Sequence, residues 1–203
     1  MILLLDTTTN PTAIGLYDYK DLRIKIVELS PENNRKLIGI IKKFIGDSKI
    51  DAIGVVSGPG TFTGVRTGVV IANTMAYVLK APLYATDTLT AQAPSMITNA
   101  VSLVSASNNE VYFARFKKGK MWGKIELVDV MNLPNRLTDG NIVVGDLQEK
   151  HCGLIIKQEF ASKDSADRIK TLLDLILYKK IKPVKQVLPL YIKKPNITFP
   201  KKK

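Results

Sequence analysis

Few side chains in this sequence combine a reactive type with a useful spacing, and most that do fall in one stretch. Residues 57–79 read SGPGTFTGVRTGVVIANTMAYVL, with Gly58, Pro59, Gly60 and Gly64 set between the apolar run Ile53-Gly54-Val55-Val56 and a long periodic apolar segment. Glycines ahead of a helix offer free backbone N–H groups and the positive end of the helix dipole, which is the chemistry of a phosphate cradle. The spacing argues against that use. A P-loop needs G-x-x-x-x-G-K-[ST], whereas here Gly64-Val65-Arg66 follows, and the dinucleotide pattern G-x-G-x-x-G is also absent. Arg66 sits one turn into the helix, where a cation opposes the dipole, so a carboxylate or a loop carbonyl is expected as its partner.

Catalytic chemistry has little else to draw on. His151 is the single histidine and Cys152 the single cysteine, which excludes H-E-x-x-H, an internal disulfide and a cysteine zinc cluster. A Ser-His-Asp triad would have to use His151 in a stretch with no nucleophile elbow. The hairpins at Asp6-Thr7-Thr8-Thr9-Asn10-Pro11 and Ser105-Ala106-Ser107-Asn108-Asn109 lack the glycines of phosphate loops, and Asp6 reads as a turn cap rather than a magnesium ligand. No catalytic residue, metal ligand or cofactor site is expected.

The elements that hold these residues follow from periodicity. Ile2–Leu5, Thr12–Tyr17 and Leu22–Leu29 read as an antiparallel meander. Ser30-Pro31 opens a first helix whose stripe is Leu37, Ile38, Ile41, Phe44 and Ile45, with Gly39 as a point of close approach. A strand at 51–56 leads to the glycine loop. Thr63 is the expected N-cap of a second helix that carries Gly64, Gly68, Ala72 and Ala76 at intervals of four on one face. Two glycines on one ridge imply that a backbone packs closely there, either of this chain's own sheet or of a second chain. A strand at Leu83–Ala85 and a helix from Thr88 to about Met96 end the first half. The second half reads as strands at 101–106, 111–117, 124–131, 142–144 and 154–156, then a helix from about Asp164 to Tyr178. This order predicts an α/β fold of two lobes, each a mixed sheet with helices, at residues 1–98 and 99–186, followed by a basic segment at 187–203.

The chain has 203 residues, 45% hydrophobic, with a net charge of +12. Residues 179–203 hold nine lysines and no acidic residue, while the rest is near balance. Such a run attracts RNA by counterion release, or serves only as a solvated tail. With no apolar run of membrane-spanning length, no leader at Met1-Ile2-Leu3-Leu4-Leu5-Asp6 and a lone cysteine, a cytoplasmic protein is expected.

Two facing meander lobes are similar to the actin, hexokinase and Hsp70-type ATPase fold. A narrower resemblance rests on Asp6-Thr7-Thr8, the block from Ser57 to Arg66, Asp87-Thr88-Leu89, Glu110-Val111-Tyr112 and Leu188-Pro189-Leu190-Tyr191, which together resemble the TsaB (YeaZ) family over essentially the whole chain. Departures are Ser105-Ala106-Ser107, where the family usually has Asp-Ala-Arg, and Asn33-Asn34, where a His-Ser pair is often seen. The resemblance implies a non-catalytic partner of a TsaD-like enzyme in the bacterial machinery that places threonylcarbamoyl on the adenosine beside the anticodon of tRNA, with a TsaE-like ATPase and tRNA in the larger complex. The partner interface is expected at Leu37, Ile41, Phe44, Gly64, Gly68, Ala72 and Ala76, a face that could also form a homodimer. Gly58, Pro59, Gly60, Thr63 and Arg66 are then structural. Lys193, Lys194, Lys201, Lys202 and Lys203 are candidate tRNA contacts. The alternative is a degenerate ATPase or sugar-kinase-like enzyme, and no membrane partner is expected.

Overall fold

The run Ile2–Asp6 (β1) is apolar at four successive positions because it lies between two helical layers, so neither face can alternate with polar residues. Leu3 and Leu5 face one core and Ile2 and Leu4 the other. The computed structural model describes residues 1–28, 30–93, 99–138, 140–155 and 158–193, the side chains of residues 31–34 excepted. In it β1 continues into β2 (Thr12–Tyr17) and β3 (Leu22–Val27) as an antiparallel meander, with Leu3 opposite Leu16. Helix α1 (Pro31–Ile45) stops where Gly46 turns left-handed at φ +59, the usual glycine brake. β4 (Ala52–Val56) then lies parallel to β1, α2 (Phe62–Leu79) crosses back, and β5 (Leu83–Thr86) lies parallel to β4. A short α3 (Thr88–Gln92) follows.

The second lobe repeats the plan with β6 (Asn99–Ser105), β7 (Glu110–Lys117), β8 (Lys120–Asp129), β9 (Ile142–Asp146) and β10 (Glu159–Ser162). The two sheets run β3-β2-β1-β4-β5 and β8-β7-β6-β9-β10, the same order of meander followed by two parallel strands. This is the two-lobed actin, hexokinase and Hsp70-like fold that the element order implied. The second lobe crosses with short pieces: a 3₁₀ turn at Val130–Asn132 with α4 (Leu133–Arg136), and α5 (Glu149–Cys152) with a 3₁₀ turn at Gly153–Ile155.

Each sheet is roofed on one face by a helix from the other half of the chain. Leu89 of α3 and the adjacent Ala93 join a core with Val104, Tyr112 and Phe116 of the second sheet. Ile169, Leu172, Leu173 and Ile176 of α6 (Ser165–Leu177) lie on Ile2, Leu4, Ala13 and Val56 of the first.

Three local expectations change. Of the strand expected at 154–156, Leu154 and Ile155 belong to the 3₁₀ turn, with Ile155 anchored in the core, and residue 156 lies outside the described residues, while the strand forms at Glu159–Ser162. That strand is an edge, paired only with β9 and mostly exposed, so it needs no apolar alternation to hold it. The second helix begins at Phe62 with Thr61 at the N-cap, so Thr63 is inside the helix and exposed. Gly39 faces open space rather than a neighbouring backbone. The outer end of the helix expected to reach Met96 lies outside the described residues.

Candidate functional site

The glycine loop is held by hydrogen bonds from three directions. Ser57 N–H donates to Thr86 O at 2.9 Å, Leu190 N–H to Ser57 O at 2.8 Å, Thr88 N–H to Gly58 O at 2.8 Å and Thr88 Oγ1–H to Pro59 O at 2.7 Å. Thr61 N–H donates to Thr8 O at 2.7 Å, and Thr7 Oγ1–H to Gly64 O at 2.6 Å. The loop is therefore a junction between the β1–β2 hairpin, the start of α3 and the chain's closing segment. Two of its glycines are dictated by that junction: a Cβ on Gly60 would lie 2.2 Å from Thr8 O, and one on Gly64 2.0 Å from Thr7 O.

That contact decides which backbone the small-residue ridge serves. Gly64, Gly68, Ala72 and Ala76 are all buried, and a Cβ on Gly68 would meet Thr7 Oγ1 at 2.2 Å, so the ridge seats this chain's own hairpin and sheet. Leu37 and Ile41 are buried in the same core, and Phe44 is partly covered with Arg23 over its ring at 5.7 Å. Of the seven residues expected at a partner interface, six face the core or sit at its rim, because the close approach signalled by the spacing is intramolecular; Ile41, also buried, lies at the floor of the outward groove. Arg66 is exposed and lies over the Phe62 ring at 4.0 Å, where a carboxylate or carbonyl was expected. Phe62 in turn meets Tyr191, ring centroids 5.0 Å apart.

The outward face of the same two helices has a different character. Ile38, Ile41 and Ile45 of α1 and Val70, Ile71 and Met75 of α2 line an apolar groove of about 280 Å³. Ile38 is 67% exposed, Val70 61% and Tyr77 86%.

Between the lobes lies a residue the sequence reading passed over. Arg168 of α6 is 0% exposed and donates through Nε to Asp6 Oδ2 at 2.5 Å and through Nη1 to Asp146 Oδ2 at 3.0 Å. It also reaches Gln92 Oε1 and Lys163 O, both at 3.2 Å, and Thr9 Oγ1. Burial pulls its pKa down, and the two carboxylates more than reverse that, so the guanidinium is held charged. Asp6 is the turn cap expected of it, accepting from Thr8 N–H at 2.9 Å and Thr8 Oγ1–H at 2.6 Å, but its second oxygen belongs to Arg168. A signal for this was present. Arg168 occupies the apolar stripe of its helix with Ile169, Leu172, Leu173 and Ile176, and a cation at a stripe position needs a buried anion.

The hairpin of the second lobe is equally committed. His151 is buried, its Nε2 2.9 Å from Asn108 O and its Nδ1 3.0 Å from Ser105 Oγ, which itself accepts from Gln148 N–H. The carbonyl can only accept, so Nε2 carries a proton and donates to it. Ser107 Oγ–H donates to Glu110 Oε2 at 2.9 Å. Among the described residues no group of three His, Cys, Asp or Glu side chains could hold a metal ion.

The closing segment runs along the first lobe: Val184 pairs with Leu83, Val187 exchanges hydrogen bonds with the Asn73 amide, and Leu190 joins Ser57. Lys193 then pairs with Glu110, whose carboxyl this hydrogen bond, with that of Ser107, holds below its usual pKa. Lys193 is thus used within the fold. Lys194, Lys201, Lys202 and Lys203 lie outside the described residues.

Comparison with known proteins places this arrangement in a family. Residues 36–138 match the family model described as TsaD, tRNA N6-adenosine threonylcarbamoyltransferase. The chain is similar to the tRNA threonylcarbamoyladenosine biosynthesis protein TsaB of Haemophilus influenzae, 31% identical over 131 residues, 59% of this chain and 55% of that protein. It is 27% identical to TsaB of Escherichia coli over 128 residues, again 55% of that protein, so the alignments span about half the length of these curated relatives. The structure of YeaZ from Pseudomonas aeruginosa superposes with a TM-score of 0.70 at 18% identity, covering 94% of this chain and 99% of that one, which shows a common fold. With the family model matching half its length and its curated relatives named TsaB, this chain belongs to the TsaD family, among its TsaB (YeaZ) members.

Proposed function

We propose that this chain is a non-catalytic subunit of the machinery that makes threonylcarbamoyladenosine in tRNA, and that it binds a TsaD-like threonylcarbamoyltransferase through the outer face of α1 and α2. The observation that carries the reading is the apolar groove between those helices, whose lining includes the exposed Ile38 and Val70. Exposed apolar area concentrated on one face is what a partner's helices would cover. The inter-lobe cleft supports the non-catalytic part. Where an ATPase of this fold would present phosphate loops, the Asp6 and Asp146 carboxylates are taken by Arg168. In this reading the protein works in the cytoplasm as a heterodimer, with a TsaE-like ATPase and tRNA joining the larger assembly, and self-associates through the same face when alone. Residues 1–98 and 99–186 act as the two lobes, and 187–203 as the closing segment.

The test is co-purification with the TsaD-like subunit. Ile38→Asp and Val70→Asp place charges in the groove without touching the core and should abolish association while leaving the melting temperature within a few degrees of the parent. Retained association would put the interface elsewhere. Gly68→Leu or Ala72→Leu would not serve, because both sites are buried and overpacking there costs about 1–3 kcal/mol of folding stability. The competing reading, a degenerate ATPase or sugar-kinase-like enzyme, requires saturable ATP or ADP binding to the isolated chain.

A further inference from the structure

Away from the groove and the closing segment, the charge of this protein collects around a second cleft. The tip of the β7–β8 hairpin, the end of α3 and the C-terminal turn of α6 enclose about 770 Å³. Lys118, Lys120, Lys163 and Lys180 line it, with Tyr178 at its rim. Asp174 is the one carboxylate among the lining residues, and no carboxylate pairs with any of the four lysines among the described residues. The field continues around the hairpin: residues 115–124 contain Arg115, Lys117, Lys118, Lys120 and Lys124 and no acidic residue. Lys117 pairs across the strands with Lys120, and Arg115 with Trp122. Like charges placed directly opposite in a ladder are unfavourable, so this arrangement costs the isolated protein stability and is relieved by an anion. One exposed ring stands at the rim of the cleft, Tyr178 at 71% exposure. The Lys180 Nζ lies 5.9 Å from the Tyr178 ring.

We infer that this cleft and the hairpin beside it bind an unpaired stretch of RNA, the lysines tracking phosphates and Tyr178 stacking on a base. A basic concave channel with exposed aromatic rings is the general solution for single-stranded nucleic acid. A flat anionic lipid surface is the poorer fit, since it would meet the lysines at the rim and leave the cleft empty. The site is built from the folded body and is independent of the lysines at 193–203. It goes beyond the subunit reading, because it requires no partner protein.

The experiment is fluorescence anisotropy with a labelled oligouridine and the full-length chain, at salt concentrations of about 50 and 200 mM. Three proteins are compared with the parent: Lys118→Gln/Lys120→Gln/Lys180→Gln, Tyr178→Ala, and Lys201→Gln/Lys202→Gln/Lys203→Gln. The cleft variant should flatten the slope of log K against log salt by about 2, at roughly 0.7 per lost phosphate contact. Tyr178→Ala should weaken binding between about five- and a hundred-fold with the slope unchanged. The tail variant should keep most of the affinity. Parental affinity and slope in both cleft variants, or binding lost only in the tail variant, overturns the proposal. So does binding to phosphatidylserine vesicles, through the same lysines, by a chain that fails to bind the oligouridine.

Discussion

The two sheets share a strand order, yet the chain crosses them in different ways. In the first lobe the crossovers are helices of 15 and 18 residues, α1 and α2. In the second they are α4 and α5, four residues each, and each has its own 3₁₀ turn beside it. Val130, Leu133 and Ile155, with partly buried Leu137, Leu147 and Leu154, close the second lobe's core on that face. Short crossovers are therefore adequate to build this fold, and the long helices of the first lobe supply more than the fold requires. Their inner stripes fill a core, and the surplus is the outward face with its groove. The lobe with long helices carries the apolar groove, and the lobe with short ones carries the basic hairpin.

The most damaging way to break this comparison is to cut the joint between the lobes. Arg168→Ala would leave Asp6 charged, buried and unpaired, and should cost about 3–5 kcal/mol in urea denaturation. Replacing both members together, Arg168→Met with Asp6→Asn, should recover much of that loss, because it removes the orphaned charge. A single loss of under about 1 kcal/mol would mean that the lobes are held by packing alone.

Next in size is a contrast within the first lobe. Gly64→Ala drives a Cβ into the Thr7 carbonyl and should cost at least about 1–3 kcal/mol. Gly39→Ala, in open space on α1, should gain about 0.5–1 kcal/mol from helix propensity alone. Thermal melts of the two variants would separate a glycine that seats a hairpin from one that merely tolerates its helix.

These predictions also mark what was readable from residue order. The meanders, the crossovers of the first lobe and the final helix follow from apolar periodicity, since β1 needs two covered faces and α6 shows one stripe, whereas α4 and α5 of the second lobe, four residues each, are too short to leave a period. The glycine ridge showed that some backbone comes close without saying whose, because spacing carries distance and not direction. Arg168 was missed because its partners are 162 and 22 residues away along the chain, and a stripe position occupied by arginine is easily read as surface. The outward groove was legible only in part: Ile38 belonged to the apolar stripe of the first helix yet is exposed, and Val70 lay off the small-residue ridge of the second.

The smallest effect concerns the seam where α3 starts. Asp87 caps that helix by accepting from Thr90 N–H at 2.9 Å, and burial raises its pKa against the pull of that bond. The folded chain thus holds the proton more tightly than the unfolded one. Its contribution is full below the unfolded value, near pH 4, and is lost as pH rises through the raised folded value. Asp87→Asn keeps the cap and removes the titration, so its melting temperature should match or exceed the parent's at neutral pH and lose that margin in acid. A margin that instead widens as pH falls would show that the carboxylate is favoured by its surroundings.

The exchange of roofing helices sets a timetable for synthesis. Strands β1, β2 and β4 are complete by residue 56, but the helix that covers one of their faces comes from residues 165–177. A nascent chain that has completed the first sheet therefore carries Ile2, Leu4, Ala13 and Val56 uncovered until nearly the whole protein has left the ribosome. Contacts of such long sequence separation form late and leave apolar surface open to aggregation. Ribosomes stalled before and after α6 should differ sharply in protease resistance of the first sheet, and a chain truncated ahead of Ser165 should be recovered bound to chaperones.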